Sequence, residues 1–422
     1  MLALSAASEI FLKMMKGCSV VVGVLAICVG IFIYTSPTGV DVPYTPPGSY
    51  TKLIPPWPVL RAFGPLSDAL HFAADALTPP NIRAVNLALS YWKSEILFAL
   101  ARYKVFDAVG DGEVSCESVA KETELSAAIL CRYMNVAHEL RLLEKTSQGL
   151  YKNSDTGHYL RADYPGSMHA FSIMINSKYV DDAWRASSTE SLKTGEKGGM
   201  LAAHGFEIWD YLSQYPKLSK EFDMAMESFA PATVGAILSD YAPPSPNATF
   251  CDIGGGQGTV VSNLLQHYPN AKGKLLDQQH VVEQAIPYLT AQGVMDRMEV
   301  YPASFFDPFP TQFASCDVFF MKFIMHDWAD DACISILKNI KAAAKPGSVL
   351  LNSDFVLGAH KSRSSFELLK AFMDINMLAN CPIGSKERSL SDFEALFNAA
   401  GIKGKAKVIN LRDPISLVEV PL

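Results

Sequence analysis

From residue 249 onward, short apolar runs alternate with stretches whose apolar residues recur every three or four positions. The runs are Thr249–Ile253, Lys274–Leu276, Met298–Tyr301, Asp317–Phe323, Val349–Phe355, Lys407–Asn410 and Ser416–Glu419. Helical spacing fills Val260–His267, Val281–Ala291, Asp331–Ala344, Ser365–Ala379 and Ser391–Ala400. Short continuous runs bounded by helical patterns predict strands buried on both faces. Strand alternating with helix predicts an α/β protein with a doubly wound parallel sheet, and ligands bind such sheets at the carboxyl ends of the strands. The last two runs have no helix between them, so the final strand is expected to be antiparallel.

The stretch from Asn81 to about Asp240 has helical spacing instead. Ile96, Leu97, Leu100 and Val105, then Val119, Leu125, Ile129, Met134, Val136 and Leu140, predict several short helices. Leu142–Glu144 and Gly149–Tyr151 read as a small strand pair, which completes a winged-helix-like pattern. Such a domain can bind DNA, but the helix Ala127–Leu140 carries only Arg132 as a fixed positive charge, against Glu139 nearby. The net charge of -7 points the same way, because phosphate binding needs clustered Lys and Arg. A protein–protein contact is expected, not nucleic acid.

Upstream, no charged residue lies between Gly17 and Val40, and Cys18 to Tyr34 is almost wholly apolar. Extended back through Met14 and Met15, a helix there would cross about 30 Å of hydrocarbon at ~1.5 Å per residue. This predicts a single-pass transmembrane helix within residues 1–35 and a membrane partnership. A cleaved signal peptide, with Lys13 and Lys16 before the apolar run but no clear A-x-A site after it, is the competing reading. The same lysines would hold the N terminus in the cytoplasm, and the sequon Asn247-Ala248-Thr249 could report the side of the folded part. Pro37, Pro43, Pro46, Pro47, Pro55, Pro56, Pro58 and Pro65 make residues 36–80 a Pro-rich linker, with one short helix near Ser67–Ala76. Residues 81–240 then form the helical domain and 241–422 the catalytic one.

At 422 residues, 49% apolar and 19% charged, the chain has ordinary globular composition and can bury two cores. Its cysteines, Cys18, Cys28, Cys116, Cys131, Cys251, Cys316, Cys333 and Cys381, are scattered with no C-x-x-C pair. Free buried thiols in a reducing environment are expected.

The strand Thr249–Ile253 runs into Gly254, Gly255, Gly256, Gln257 and Gly258, and a helix follows at once. Glycines let backbone N–H groups approach a ligand and let the chain turn sharply onto the helix. About twenty residues on, Asp277 closes the second strand, where an acid can bind ribose hydroxyls. Together they predict an adenosine-containing cofactor. The spacing Gly254-x-Gly256-x-Gly258, with Asp252 two residues before the loop, differs from the G-x-G-x-x-G of NAD sites and favours S-adenosylmethionine.

Further marks follow in order: Phe305-Phe306-Asp307-Pro308, then Met321-Lys322-Phe323-Ile324-Met325-His326-Asp327-Trp328, then Lys386-Glu387-Arg388. With the glycine loop, these make the chain resemble the plant-type (caffeic acid and hydroxyindole) O-methyltransferase family from about Asn81 to the C terminus. The resemblance implies a Rossmann-like class I methyltransferase sheet, a winged-helix-like dimerisation domain and a homodimer. It implies S-adenosylmethionine as cofactor, a small aromatic hydroxyl acceptor, and no metal. It assigns the general base to His326, with Asp354 and Glu387 as flanking acids, and places Asp252, Gly254, Gly256, Asp277, Ser304, Phe305 and Lys322 around the cofactor. A base of this kind suits the chemistry. A phenol of pKa ~10 is mostly protonated at neutral pH, and a neutral imidazole can take its proton.

Two positions depart from the family. Asp354 stands where Glu is usual and reaches one methylene less. Ser304 stands where an acid commonly meets the adenine amino group. They keep open a membrane-anchored interaction protein with a degenerate pocket, beside an N- or C-methyltransferase of the same fold. Because the cofactor is made in the cytosol, the side of the catalytic domain also stays open. Asp327, Asp330 and Asp331 read as caps and charge complements of the helix that follows. Phe372, Met373, Asn376, Met377 and Asn380 are expected at the acceptor pocket by family analogy, or in the core.

Overall fold

The computed structural model describes residues 69–359 and 365–422. The N-terminal apolar run and most of the Pro-rich linker lie outside the described residues. The short helix expected near Ser67–Ala76 is present through 69–77. Helices Pro80–Ala88, Ser90–Arg102, Val105–Val109, Cys116–Glu122 and Ala127–Glu139 follow, and β1 (Leu143–Lys145) pairs antiparallel with β2 (Tyr151–Asn153) as the wing. Leu100, Val105, Phe106, Val119, Leu130, Met134 and Leu143 form the core of this unit. Further helices, among them Lys178–Ala186, Ile208–Gln214, Pro216–Glu227 and Ala230–Asp240, lead into the sheet.

The catalytic part alternates as its pattern predicts. Its strands are β3 (Thr249–Ile253), β4 (Lys272–Asp277), β5 (Met298–Pro302), β6 (Val318–Lys322), β7 (Val349–Asp354), the short β8 (Val356–Leu357) and β9 (Arg388–Ser389), then β10 (Lys407–Asn410) and β11 (Ser416–Pro421). Among the described residues one seven-stranded sheet has the order β10-β11-β7-β6-β3-β4-β5. All neighbours in β7-β6-β3-β4-β5 are parallel, and β11 runs antiparallel to both β7 and β10. Side chains alternate across it. Cys251, Ile253, Phe319 and Met321 pack on one face with Ile336, Ile340 and Phe397. Phe250, Val318 and Phe320 pack on the other with Val260, Leu264 and Leu275. Covering both faces is what lets these strands be apolar throughout.

Chain order reverses between β3 and β6, which are hydrogen-bonded neighbours in the middle of the sheet. The loops leaving their carboxyl ends therefore diverge and leave a crevice, the usual ligand position in such sheets. From β3 comes the glycine loop and from β6 the His326 segment.

Two expectations are corrected. No helix among the described residues is long and apolar enough to cross a membrane, so the single-pass membrane placement and membrane partnership are withdrawn. The run Cys18 to Tyr34 that suggested them lies outside the described residues. The scattered cysteines are also not all free: Cys116 is bonded to Cys131 and Cys251 to Cys316, while Cys333 and Cys381 are buried thiols. Cys116 and Cys131 sit on consecutive helices, and Cys251 lies on β3 beside the residue that leads into β6, so folding brings together pairs that spacing does not reveal.

Candidate active site

At the end of β3, the Gly254 N–H donates to the Leu276 carbonyl at 2.7 Å, and the chain turns through left-handed backbone at Gly254 (φ +70°) and Gly256 (φ +59°). The left-handed backbone at Gly254 strains any other residue, and a Cβ there would also press on the end of the Ile324 side chain, 2.5 Å from Cδ1. The space beside Gly256 is open, and the loop lines the cavity.

Asp277 braces the loop: Oδ2 accepts from Gly256 N–H at 2.8 Å and Oδ1 from Gln278 N–H at 2.7 Å. Asp252 is buried beneath it with Oδ2 unpartnered, and burial, only partly opposed by Lys322, pushes its carboxyl up to about 7. Lys322, at the end of β6, lies 4.3 Å from the centre of the Phe323 ring. Burial lowers its pKa against the pull of Glu227, Asp252, Asp354 and Asp413. Ser304 and Phe305 line the same cavity, and Ser304 Oγ accepts from Phe306 N–H at 3.2 Å.

His326 sits on a single turn, Met325–Asp327, just past β6, and its ring is buried. Glu387 Oε1 lies 2.8 Å from Nδ1. In the neutral ring that contact favours the proton on Nδ1 and leaves the lone pair on Nε2, which has Asp327 Oδ1 at 3.4 Å. Phe323 stacks on the imidazole at 5.2 Å and 9°. Burial pulls the imidazole pKa down, but Glu387, Asp327 and Asp354 outweigh it and raise it to about 10. The same burial pushes Glu387 and Asp327 up to about 6.

The two flanking acids differ in placement. Glu387 holds the ring directly, while Asp354 accepts from Phe323 N–H at 3.1 Å and Asn352 Nδ2 at 2.8 Å and reaches His326 only through its charge. Phe323 has left-handed backbone (φ +57°), which a bulky residue adopts only when held. Asp354 therefore positions the ring that stacks on the imidazole.

Arg388 fastens the whole segment. It is 1% exposed, and its guanidinium donates to the carbonyls of Met325 and Trp328 and to Asp330 Oδ1 at 2.7 Å. Lys386 adds its N–H to the His326 carbonyl at 3.1 Å and its Nζ to Asp330 at 3.0 Å. Asp330 thus serves as an anchor for Arg388 as well as a first-turn charge, Asp331 accepts from Ala332 N–H, and Asp327 faces the imidazole. The pairing of β8 with β9 sets Glu387 at the right height.

The glycine loop and His326 share a cavity of about 380 Å³. Met373, Asn376, Met377 and Asn380 line it as expected, while Phe372 points outward at 58% exposure. The opposite wall comes from the helical part, through Phe171, Trp209, Phe222, Glu227 and Phe229. Their helical spacing reads as core, and nothing local marks them as a wall. The role of Asp327 beside the ring was likewise hidden, since an acid before a helix reads as a cap.

The O-methyltransferase domain family matches residues 189–403, half of the chain, and the O-methyltransferase dimerisation domain matches residues 85–163. The chain belongs to the O-methyltransferase family. It is an S-adenosylmethionine-dependent enzyme. The methyltransferase is 28% identical over 335 residues to a phenazine O-methyltransferase of Lysobacter antibioticus, covering 79% of this chain and 94% of that one. It is 29% identical over 278 residues to a caffeic acid 3-O-methyltransferase of Rosa chinensis, covering 65% and 72%. Its fold matches human N-acetylserotonin methyltransferase in complex with S-adenosylmethionine with a TM-score of 0.72 at 21% identity, covering 82% and 98%. The crevice fits that cofactor. Its open glycine loop and unpartnered Asp252 oxygen offer an uncrowded floor with unused hydrogen-bonding capacity.

Proposed function

We propose that this methyltransferase methylates a hydroxyl of a small aromatic acceptor, with His326 as general base. When bound, S-adenosylmethionine supplies a methyl group on a sulfonium, which leaves as a neutral thioether and so needs no metal. The chain's own residues do the rest. Gly254, Gly256, Asp252, Asp277, Ser304, Phe305 and Lys322 line the cavity and would hold the cofactor, the glycines by leaving it room, Asp277, Asp252 and Ser304 by offering hydrogen-bonding oxygens, and Lys322 as a buried cation. Glu387 holds Nδ1, so Nε2 of His326 receives the acceptor's proton, and the imidazolium formed is stabilised by Glu387 and Asp327. Holding nucleophile and methyl in line supplies the remaining advantage.

The carrying observation is the 2.8 Å contact between His326 and Glu387 at the wall of a cavity that also reaches the glycine loop. Aromatic walls favour a planar acceptor, as do the phenazine and caffeic acid of the relatives' names. The domain organisation proposed is a helical dimerisation domain over 81–240 and a catalytic domain over 241–422, and the dimerisation-domain match over 85–163 supports a homodimer. The test is transfer of labelled methyl to phenols, hydroxyindoles and quinols, with products placed by mass spectrometry and NMR. O-methylated aromatic products are expected, and products methylated only on nitrogen or carbon would overturn the proposal.

A further inference from the structure

One acid on the cavity wall belongs neither to the glycine-loop strands nor to the His326 segment. Glu227 ends the helix Pro216–Glu227, lines the cavity and is half-buried. Thr259 opens the helix that follows the glycine loop, and its hydroxyl donates to Glu227 Oε1 at 2.6 Å. That bond fixes the carboxylate beside the loop. Glu227 Oε2 accepts no hydrogen bond among the described residues, and it is not sealed from solvent as Asp252 Oδ2 is. The wall therefore presents a carboxylate oxygen that is both unused and open.

Lys322 lines the same cavity, and Glu227 is the carboxylate that most raises its pKa against burial. Lys322 in turn lowers the pKa of Glu227, which burial raises. Yet the two form no ion pair, and the Lys322 ammonium makes no hydrogen bond among the described residues. A buried charge is costly unless something pairs with it, so an anion and a cation held apart suit a ligand that carries both signs. The amino-acid end of S-adenosylmethionine is such a group, with an ammonium and a carboxylate on one carbon. Asp277 closes β4, where an acid can meet ribose, and Asp223, one turn before Glu227, feels Asp277 and His280. Glu227 feels Lys322 and not those two, which sets it apart from the ribose side. Of the cofactor's two cationic groups only the ammonium has N–H donors, so only it can complete the unused oxygen with a charge-assisted hydrogen bond.

We propose that Glu227 binds the methionine ammonium of S-adenosylmethionine through Oε2 and so selects for the cofactor's amino group. This rests on the cofactor, and neither the acceptor nor the role of His326 enters it.

Calorimetry on the full chain tests it with S-adenosylhomocysteine, with the deaminated analogue that keeps the carboxylate but lacks the amino group, and with 5′-methylthioadenosine, which lacks the whole tail. Wild type is expected to bind S-adenosylhomocysteine about tenfold or more tighter than the deaminated analogue. Glu227→Gln keeps an acceptor for Thr259 but loses the charge. It should weaken S-adenosylhomocysteine by about tenfold and leave the other two ligands within about threefold, so the preference collapses. An unchanged preference in Glu227→Gln overturns the proposal, and so does a wild-type preference below about twofold, which needs no variant to fold. Equal weakening of all three ligands would make Glu227 a prop for the cavity through Thr259 and overturn it as well. Weakened S-adenosylmethionine with unchanged S-adenosylhomocysteine would set the carboxylate against the sulfonium and also overturn it. Failure of wild type to bind S-adenosylhomocysteine at all would count against the cofactor itself, and the proposal would fall with it.

Discussion

Both ring nitrogens of His326 face carboxylates, and that sets its pH behaviour. With the conjugate acid raised to about 10, the imidazole is a stronger proton acceptor than a free side chain but is mostly protonated at neutral pH. The free-base fraction then grows about tenfold per pH unit below that value. We expect log kcat/KM to keep rising from pH 7 to 9, where an ordinary imidazole of pKa ~6.5 would already have levelled. Glu387→Gln removes a negative charge at 2.8 Å, so the imidazole pKa falls and the plateau moves to lower pH. A wild-type profile flat above pH 7.5, or one that Glu387→Gln leaves in place, would separate the base from this carboxylate. Little of this could be read beforehand. The motif points to His326 and Glu387, but the third acid at the ring, Asp327, and the indirect reach of Asp354 depend on how two distant loops meet.

At the scale of elements, the sheet was legible because its strands are covered on both faces and its helices on one. Thr249–Ile253 and Lys407–Asn410 are strands over the full runs expected, and the helix expected at Asp331–Ala344 spans Asp330–Ala343. The antiparallel last strand follows from a missing crossover helix. What periodicity could not show are elements too short to have a period, such as β8 and β9, and staples made by one residue. Arg388 is such a staple: the Lys-Glu-Arg run marks the family without showing that its arginine is wholly buried. Arg388→Met should strand the Met325 and Trp328 carbonyls at roughly 1–3 kcal/mol each and loosen the turn that carries His326. Chemical denaturation should show that loss, with kcat reduced more than cofactor affinity. Wild-type stability in this variant would mean that the turn holds itself.

At the scale of the molecule, the methyltransferase leaves apolar side chains outside both cores. Phe72 is 77% and Leu87 75% exposed, and Tyr91, Trp92, Ile129 and Tyr133 are exposed as well. Large exposed apolar side chains suit an association surface, and Leu87, Tyr91, Trp92, Ile129 and Tyr133 lie in the segment matched by the dimerisation domain. The winged-helix-like pattern was visible in the sequence, and the exposed Ile129, Tyr133 and Val136 on its last helix fit the protein contact expected there. We expect Leu87→Glu combined with Trp92→Glu to convert a dimer into a monomer in sedimentation velocity, whereas an unchanged dimer would place the interface elsewhere. The membrane placement did not survive, since no helix among the described residues is long and apolar enough to span, and the disulfides could not be foreseen because the fold, not the spacing, pairs the cysteines.

The cavity wall is shared by the helices that lead into the sheet and the loops at its edge, while the proposed proton removal falls to one imidazole. The most direct measurement is single-turnover methyl transfer by His326→Ala beside its S-adenosylmethionine affinity from calorimetry. We expect the rate to fall by about 10²–10⁴-fold with affinity within a few-fold of wild type. Transfer at the wild-type rate would contradict His326 as the base, and a rate loss matched by lost cofactor affinity would make it a binding residue instead.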